Sequence, residues 1–195
     1  NIIDIQRPWL LTIGSYCKIC HGVIILTHDY SRSVVRRVYG EIIESAKKTI
    51  IGNNVFIGMN SIILMGTVIG DNCIIGAGSI VSGIFPDNVV IAGNPAKIIC
   101  TLEEYYLKRK NNCKKEALCC AKAFQERYDK MPTVNEMGAF FPLYIERDLS
   151  KLREYDIRTN LSGDDEDDII RNFLITKSAY TSFDEFINEV QTSED

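Results

Sequence analysis

From Ile51 to Pro86 the apolar positions recur at every sixth residue: Ile51, Ile57, Ile63, Ile69, Ile75 and Val81. Four residues after each stands Val55, Ser61, Thr67, Cys73, Ser79 or Phe85, a slot filled mostly by small or β-branched side chains. An amphipathic helix needs apolar residues alternately three and four apart, and a half-buried strand needs strict alternation. Neither pattern is present. A fixed short period marks a solenoid, in which each unit buries its apolar side only against the next. The period of six suits a short strand and a tight corner, where Gly, Asn and Asp tolerate unusual φ. The pattern therefore predicts a parallel β-helix. Each aliphatic residue points into a triangular prism, and each small residue fits the cramped space beside a corner.

The same spacing runs earlier through Ile13, Ile19 and Ile25, with Cys17 and Val23 in the small slots. Asn1 to Leu11 is apolar but out of register, which predicts an irregular first coil. Trp9, the single tryptophan, either caps the end of the prism or contacts a substrate. The register stops between Leu26 and Thr49, and the step from Ile25 to Ile51 is not a multiple of six. A loop must leave the prism there, and function concentrates on such excursions from a rigid scaffold. It reads LTHDYSRSVVRRVYGEIIESAKKT and contains His28, Asp29, Tyr30 and Ser31. Its basic residues, Arg32, Arg36, Arg37, Lys47 and Lys48, fit a solvated loop as well as a binding surface.

Beyond Pro86, Gly93-Asn94-Pro95-Ala96 is a turn signal that closes the repeat. Thr101-Leu102-Glu103-Glu104 has the form of a capping box. Cys113, Ala117, Cys120, Ala121, Phe124 and Tyr128 follow at helical spacing, so these cysteines read as core residues. Pro132-Thr133 with Glu136, and Ser182 with Glu185, predict two further helix starts. The acidic run Asp164 to Asp168 reads as a solvated loop, since it lacks the EF-hand spacing and glycine. The chain is thus expected to be mainly β over residues 1–100, with a loop at about 26–49. A mostly α-helical appendage is expected over residues 101–195.

Composition narrows the function classes. Hydrophobic residues make up 46% and charged residues 25%, ordinary for a soluble globular protein. No apolar run approaches the roughly 18–20 residues that span a bilayer, so membrane insertion is not expected. A net charge of −4 argues against nucleic acid or an anionic membrane as a general partner. Seven cysteines, an odd number with Cys119 and Cys120 adjacent, do not form a secreted disulfide pattern and suit a reducing cytoplasm. Cys17-Lys18-Ile19-Cys20-His21 matches the haem-attachment spacing, yet it also fits the hexapeptide register, and that reading is preferred.

The combination of IGNNVFIG, IGDNCIIGAGSIV and AGNPAKII resembles the hexapeptide-repeat acyltransferases, over roughly Leu10 to Ile99. These are left-handed β-helix enzymes that include galactoside, maltose, serine and xenobiotic acetyltransferases. The loop ILTHDYS followed by YGE looks most like the O-acetyltransferases of surface-glycan and capsule assembly. The resemblance implies transfer of an acetyl group from acetyl-CoA directly to a sugar or glycan hydroxyl, with no acyl-enzyme and no metal. It implies His28 as general base, a role a neutral imidazole fills well near pH 7. Asp29 is adjacent, but neighbours in an extended segment point to opposite sides, so a backbone carbonyl is as plausible an orienter of His28.

By the same resemblance the oxyanion donor is the main-chain N–H of Met59. Coenzyme A would pass Ala77, where a small residue admits the pantetheine arm, and then Ser82 and Lys97. Relatives carry a further Lys where this chain has Gly83, and an Arg near Cys100, so the phosphate contacts depart from the family pattern. Asp29, Tyr30 and Ser31 are the expected substrate contacts. A homotrimer with sites between subunits is expected, and polysaccharide biosynthesis is the implied setting. Two other classes compete. A γ-type carbonic anhydrase needs three histidines, and only His21 and His28 are available. A non-catalytic scaffold on the same prism needs neither the THDYS loop nor the AGNPAK turn.

Overall fold

A computed structural model of the chain describes residues 1–157, 159 and 164–193. It divides into two compact units, Asn1–Lys108 and Arg109–Asp195.

The first unit is a left-handed parallel β-helix built from very short strands. They are β1 (Ile2–Ile3), β2 (Leu11–Ile13), β3 (Lys18–Ile19), β4 (Ile24–Ile25), β5 (Thr49–Ile51), β6 (Phe56–Ile57), β7 (Ile62–Ile63), β8 (Val68–Ile69), β9 (Ile74–Ile75), β10 (Ile80–Val81) and β11 (Ile84–Phe85). Two longer strands follow, β12 (Val89–Gly93) and β13 (Ala96–Thr101). Successive strands fall on three faces: an A face of β1-β4-β7-β10, a B face of β2-β5-β8-β11, and a C face of β3-β6-β9-β12-β13. A regular coil consumes three hexapeptides, which stacks Ile62 on Ile80, Ile50 on Val68 and Phe56 on Ile74. The inward positions, Ile25, Ile51, Ile57, Ile63, Ile69, Ile75 and Val81, are at most 1% exposed. Each such side chain contributes about 1.5–3 kcal/mol by leaving water. Ser61, Thr67 and Ser79 occupy the small slot with no exposure and satisfy their hydroxyls on the carbonyls of Gly76, Leu64 and Val81.

Three pairings cross the excursion: Ile24 to Ile62, Thr12 to Ile50 and Lys18 to Phe56. The partners in each are separated by more chain than a regular coil holds. The excursion is therefore an insertion into one coil, placed after β4 and before β5 at the corner between the A and B faces. Its ends are pinned by an antiparallel bridge between His28 and Ala46. Hydrogen bonds from Lys47 N–H to Thr27 O (2.9 Å) and from Asp29 N–H to Ser45 O (3.3 Å) flank that bridge. Within it Arg32–Tyr39 forms α1, terminated by Gly40 at φ 76°.

The register slips once, where none was expected. Phe85 pairs with Ile69 and so takes the aliphatic slot directly after that of Val81, not the small slot assigned from spacing. The corner at Ser82-Gly83 is shorter than its predecessors, and Gly83 reaches φ 116° there, a region that side-chain-bearing residues avoid. The repeat then closes in a hairpin, with β12 antiparallel to β13 around Gly93-Asn94-Pro95-Ala96.

The second unit has its own core. The capping box forms as expected, with Thr101 N–H donating to Glu104 Oε2 (2.7 Å) and Glu104 N–H to Thr101 Oγ1 (3.2 Å) at the start of α2 (Leu102–Tyr128). The predicted apolar face of α2 is narrower than its spacing suggests. Ala117 and Ala121 are buried and Cys113 and Phe124 half-buried, whereas Cys120 and Tyr128 are exposed, so Cys120 is no core residue. Thr133 and Glu136 also make a capping contact (2.7 Å), but no α-helix follows, only a turn and a 3₁₀ segment at Gly138–Leu143. Then come α3 (Leu149–Glu154), α4 (Glu166–Ile175) and α5 (Phe183–Thr192). The acidic run is no loop throughout: Asp165 caps α4 by accepting from Asp168 N–H (3.2 Å), and Glu166, Asp167 and Asp168 form its first turn. Carboxylates there complement the positive helix N-terminus. Ser182 caps α5 as predicted. All seven cysteines are free, and among the described residues no helix is long and apolar enough to cross a membrane.

Candidate active site

His28 stands just past the buried Ile25, where the chain leaves the prism. Its side chain is 20% exposed. Thr27, one position earlier, is fully buried, so the imidazole starts from a fixed backbone. The ring contact comes from a residue that sequence reasoning missed: Asp4 Oδ2 lies 2.5 Å from His28 Nδ1. Asp4 follows β1, and its own N–H continues the A-face ladder to Ile25 O (3.0 Å). It is 7% exposed. Burial alone would raise its carboxyl pKa. Hydrogen bonds from the Thr27 hydroxyl (2.6 Å), Thr27 N–H (3.0 Å), His28 and Gln6 N–H (3.2 Å) outweigh that and bring it from 3.8 down to about 2. No spacing rule links positions 4 and 28; the only signal was a lone carboxylate in the irregular first coil.

Asp29 accepts from Ser31 N–H (2.8 Å) and from the Ser31 hydroxyl (2.5 Å), contacts that hold its carboxyl below the usual range. Tyr30 is 67% exposed, with the Arg32 guanidinium 5.0 Å from its ring centre. Glu44 pairs with Arg32 of the excursion and, at 3.6 Å, with Arg7 of the first coil. Trp9 is 71% exposed beside them in sequence, in a 3₁₀ turn at Pro8–Leu10. His21 is exposed at a corner, where its carbonyl accepts from Asn60 N–H (3.1 Å).

The remaining expected site residues divide between two corners. Ser82 is exposed at the A-to-B corner, the corner from which the excursion carrying His28 departs. Met59 and Ala77 stack on successive coils at the C-to-A corner, where Gly78 N–H donates to Met59 O (2.8 Å). A Cβ on Gly58 would lie 2.6 Å from Ala77 N, so only glycine lets these coils approach. The Met59 side chain is exposed. Lys97 is exposed on β13 opposite Ala92, near the Gly93 end of β12 that faces the same C-to-A corner. One prism therefore holds His28 and Ser82 at one end of its A face and Met59, Ala77 and Lys97 toward the other.

The family described as the hexapeptide repeat of succinyl-transferase matches residues 48–82. Protein CapG of Staphylococcus aureus is 44% identical over 133 residues, which cover 64% of this chain and 77% of CapG. The chain belongs to the hexapeptide-repeat acetyltransferases. This acetyltransferase is also 44% identical over 69 residues to a 2,3,4,5-tetrahydropyridine-2,6-dicarboxylate N-acetyltransferase of Clostridium perfringens, covering 34% of this chain and 29% of that one. A galactoside acetyltransferase solved in complex with coenzyme A shares 36% identity, with a TM-score of 0.43. The match covers 51% of this acetyltransferase and 48% of that chain. The chain thus spans about half the length of the solved relative.

Proposed function

We propose that this acetyltransferase moves an acetyl group from acetyl-CoA directly to a hydroxyl of a sugar or glycan, with His28 as general base. The observation that carries this reading is the imidazole at the mouth of the excursion, partly exposed and fixed on one ring nitrogen. The acceptor O–H gives its proton to His28 as its oxygen attacks the thioester carbonyl carbon. The tetrahedral oxyanion takes a hydrogen bond from Met59 N–H, and a donor of this kind supplies about 3–4 kcal/mol of transition-state stabilisation. The C–S bond then breaks, and the proton on His28 passes to the departing sulfur to give the free thiol of coenzyme A. The thioester is already activated, so no acyl-enzyme is required. This agrees with Ser61 and Ser79 being enclosed in the prism.

Ala77 and Lys97 line the proposed coenzyme A path at the C-to-A corner. Ser82 meets it at the A-to-B corner, with the acceptor near Asp29, Tyr30 and Ser31. Since one prism separates these groups, the reading assigns a homotrimer in which His28 of one copy faces Met59 of the next. Membership of the acetyltransferase family supports the acetyl donor. A thiol-release assay with acetyl-CoA and a panel of sugars, run beside His28→Ala, tests the proposal. Loss of roughly 10²–10⁴-fold in turnover is expected, and unchanged turnover in the variant would sink it.

A further inference from the structure

We infer that Asp4 is the positioning residue for His28: it fixes the imidazole as the Nδ1–H tautomer and leaves the Nε2 lone pair to take the acceptor's proton. The activity arm of this inference rests on the reading just given. Its tautomer arm does not.

An ionised carboxylate can only accept hydrogen bonds. Asp4 Oδ2 receives Thr27 N–H, the Thr27 hydroxyl and His28 Nδ1. Against an ionised carboxylate, the 2.5 Å contact between that oxygen and Nδ1 is a hydrogen bond only with the proton on Nδ1. In the neutral ring Nε2 is then the acceptor, so the base is defined atom by atom. The low carboxyl pKa supports the ionised state.

A purely structural tie would not need this chemistry. One oxygen collecting three donors suits an anion better than an amide oxygen. The carboxylate is itself held on both oxygens, Oδ1 by Gln6 N–H, so its direction is set before His28 meets it. When His28 receives the acceptor's proton, the imidazolium forms against a fixed negative charge in a mostly dry setting, where such a pair is strengthened. The first, irregular coil thus carries a function: β1 stacks on β4, and the residue that follows β1 orients one that lies just beyond β4.

The test is ¹⁵N NMR of the histidine-labelled full-length protein, with His21→Gln used to assign the second ring. The neutral His28 ring should show Nδ1 protonated. In Asp4→Asn the two tautomers should mix, and kcat should fall roughly 10²–10⁴-fold, as when a buried aspartate that sets a catalytic histidine's tautomer is neutralised. KM should stay within about threefold, since Asp4 is not among the residues placed against either substrate. A wild-type ring protonated on Nε2 overturns the inference without any variant, which covers the case in which Asp4→Asn does not fold. Retained kcat in a folded Asp4→Asn overturns it whatever the spectrum shows. Absence of acetyl transfer by the wild type would defeat the proposed function alone, and the spectrum would still decide the role of Asp4.

Discussion

The two units of this chain fill their cores in opposite ways. The prism repeats one contact: an isoleucine or valine in the aliphatic slot from Ile51 to Val81, stacked on its equivalent in the next coil, with Phe85 taking the slot that follows. The helical unit repeats nothing. Its core collects Tyr144, Phe173, Tyr180 and Phe186 with Val134, Met137 and Leu152. The Phe186 ring has three different partners, at 5.3 Å from Tyr144, 5.4 Å from Tyr180 and 5.8 Å from Phe183. A repeated aliphatic stack is a lattice on which positions can be counted. A cluster of rings joined by edge and tilted contacts is a single solution with no period.

The contrast yields graded expectations. The largest concerns chemistry: His28→Ala should cost turnover roughly 10²–10⁴-fold in a thiol-release assay, whereas Phe186→Ala should leave kcat per folded molecule unchanged. Equal losses in the two variants would erase the division of labour between the units. Next, Phe186→Ala should lower stability by about 3–5 kcal/mol in denaturant titrations, because the vacated volume has three aromatic neighbours and no replacement. Ile63→Val, at the centre of the prism, should cost only about 0.5–1.5 kcal/mol, since one methylene is lost from a stack that continues above and below. A larger cost for Ile63→Val than for Phe186→Ala would reverse the comparison. Thr101→Ala, at the start of α2, should cost about 1 kcal/mol through loss of the cap.

The smallest effect is confined to acid. The Asp4 carboxyl titrates at about 2 in the folded chain against 3.8 ordinarily, so its folded-state pKa is depressed. Its contribution to stability is complete above about pH 4 and fades as pH falls from there toward about 2. Asp4→Asn should flatten that limb of the acid unfolding curve, and an unchanged limb would assign it to other carboxylates.

This difference between the units also governs what could be read from the chain alone. The prism, its three faces and the place of the excursion follow from the period, because every inward position has an equivalent a fixed distance away. The period fails where the chain departs from it. Phe85 enters the aliphatic slot early because the Ser82-Gly83 corner is short, and no repeat unit records that deletion. Thr133 and Glu136 form their capping contact, yet Gly138 and Pro142 stand within the next turns and stop a helix from propagating. Cys120 is on the expected face of α2 but outside the strip that Ala117 and Ala121 bury. At the candidate site, the gap in the period singles out His28 as a candidate and nothing more. Asp4 was not legible, because its contact joins two irregular segments far apart in sequence.

The pairing of Ile25 with Ile63 is indifferent to the chain inserted between their coils. Because Thr27 and Lys47 already hold the two ends together, the entropy of the enclosed chain grows only with the logarithm of its length. Doubling the insertion would cost about 0.6 kcal/mol. The corner therefore behaves as a socket: segments of very different size could be exchanged there while the coils beneath keep their geometry. Length and sequence can diversify at this point without renegotiating the fold.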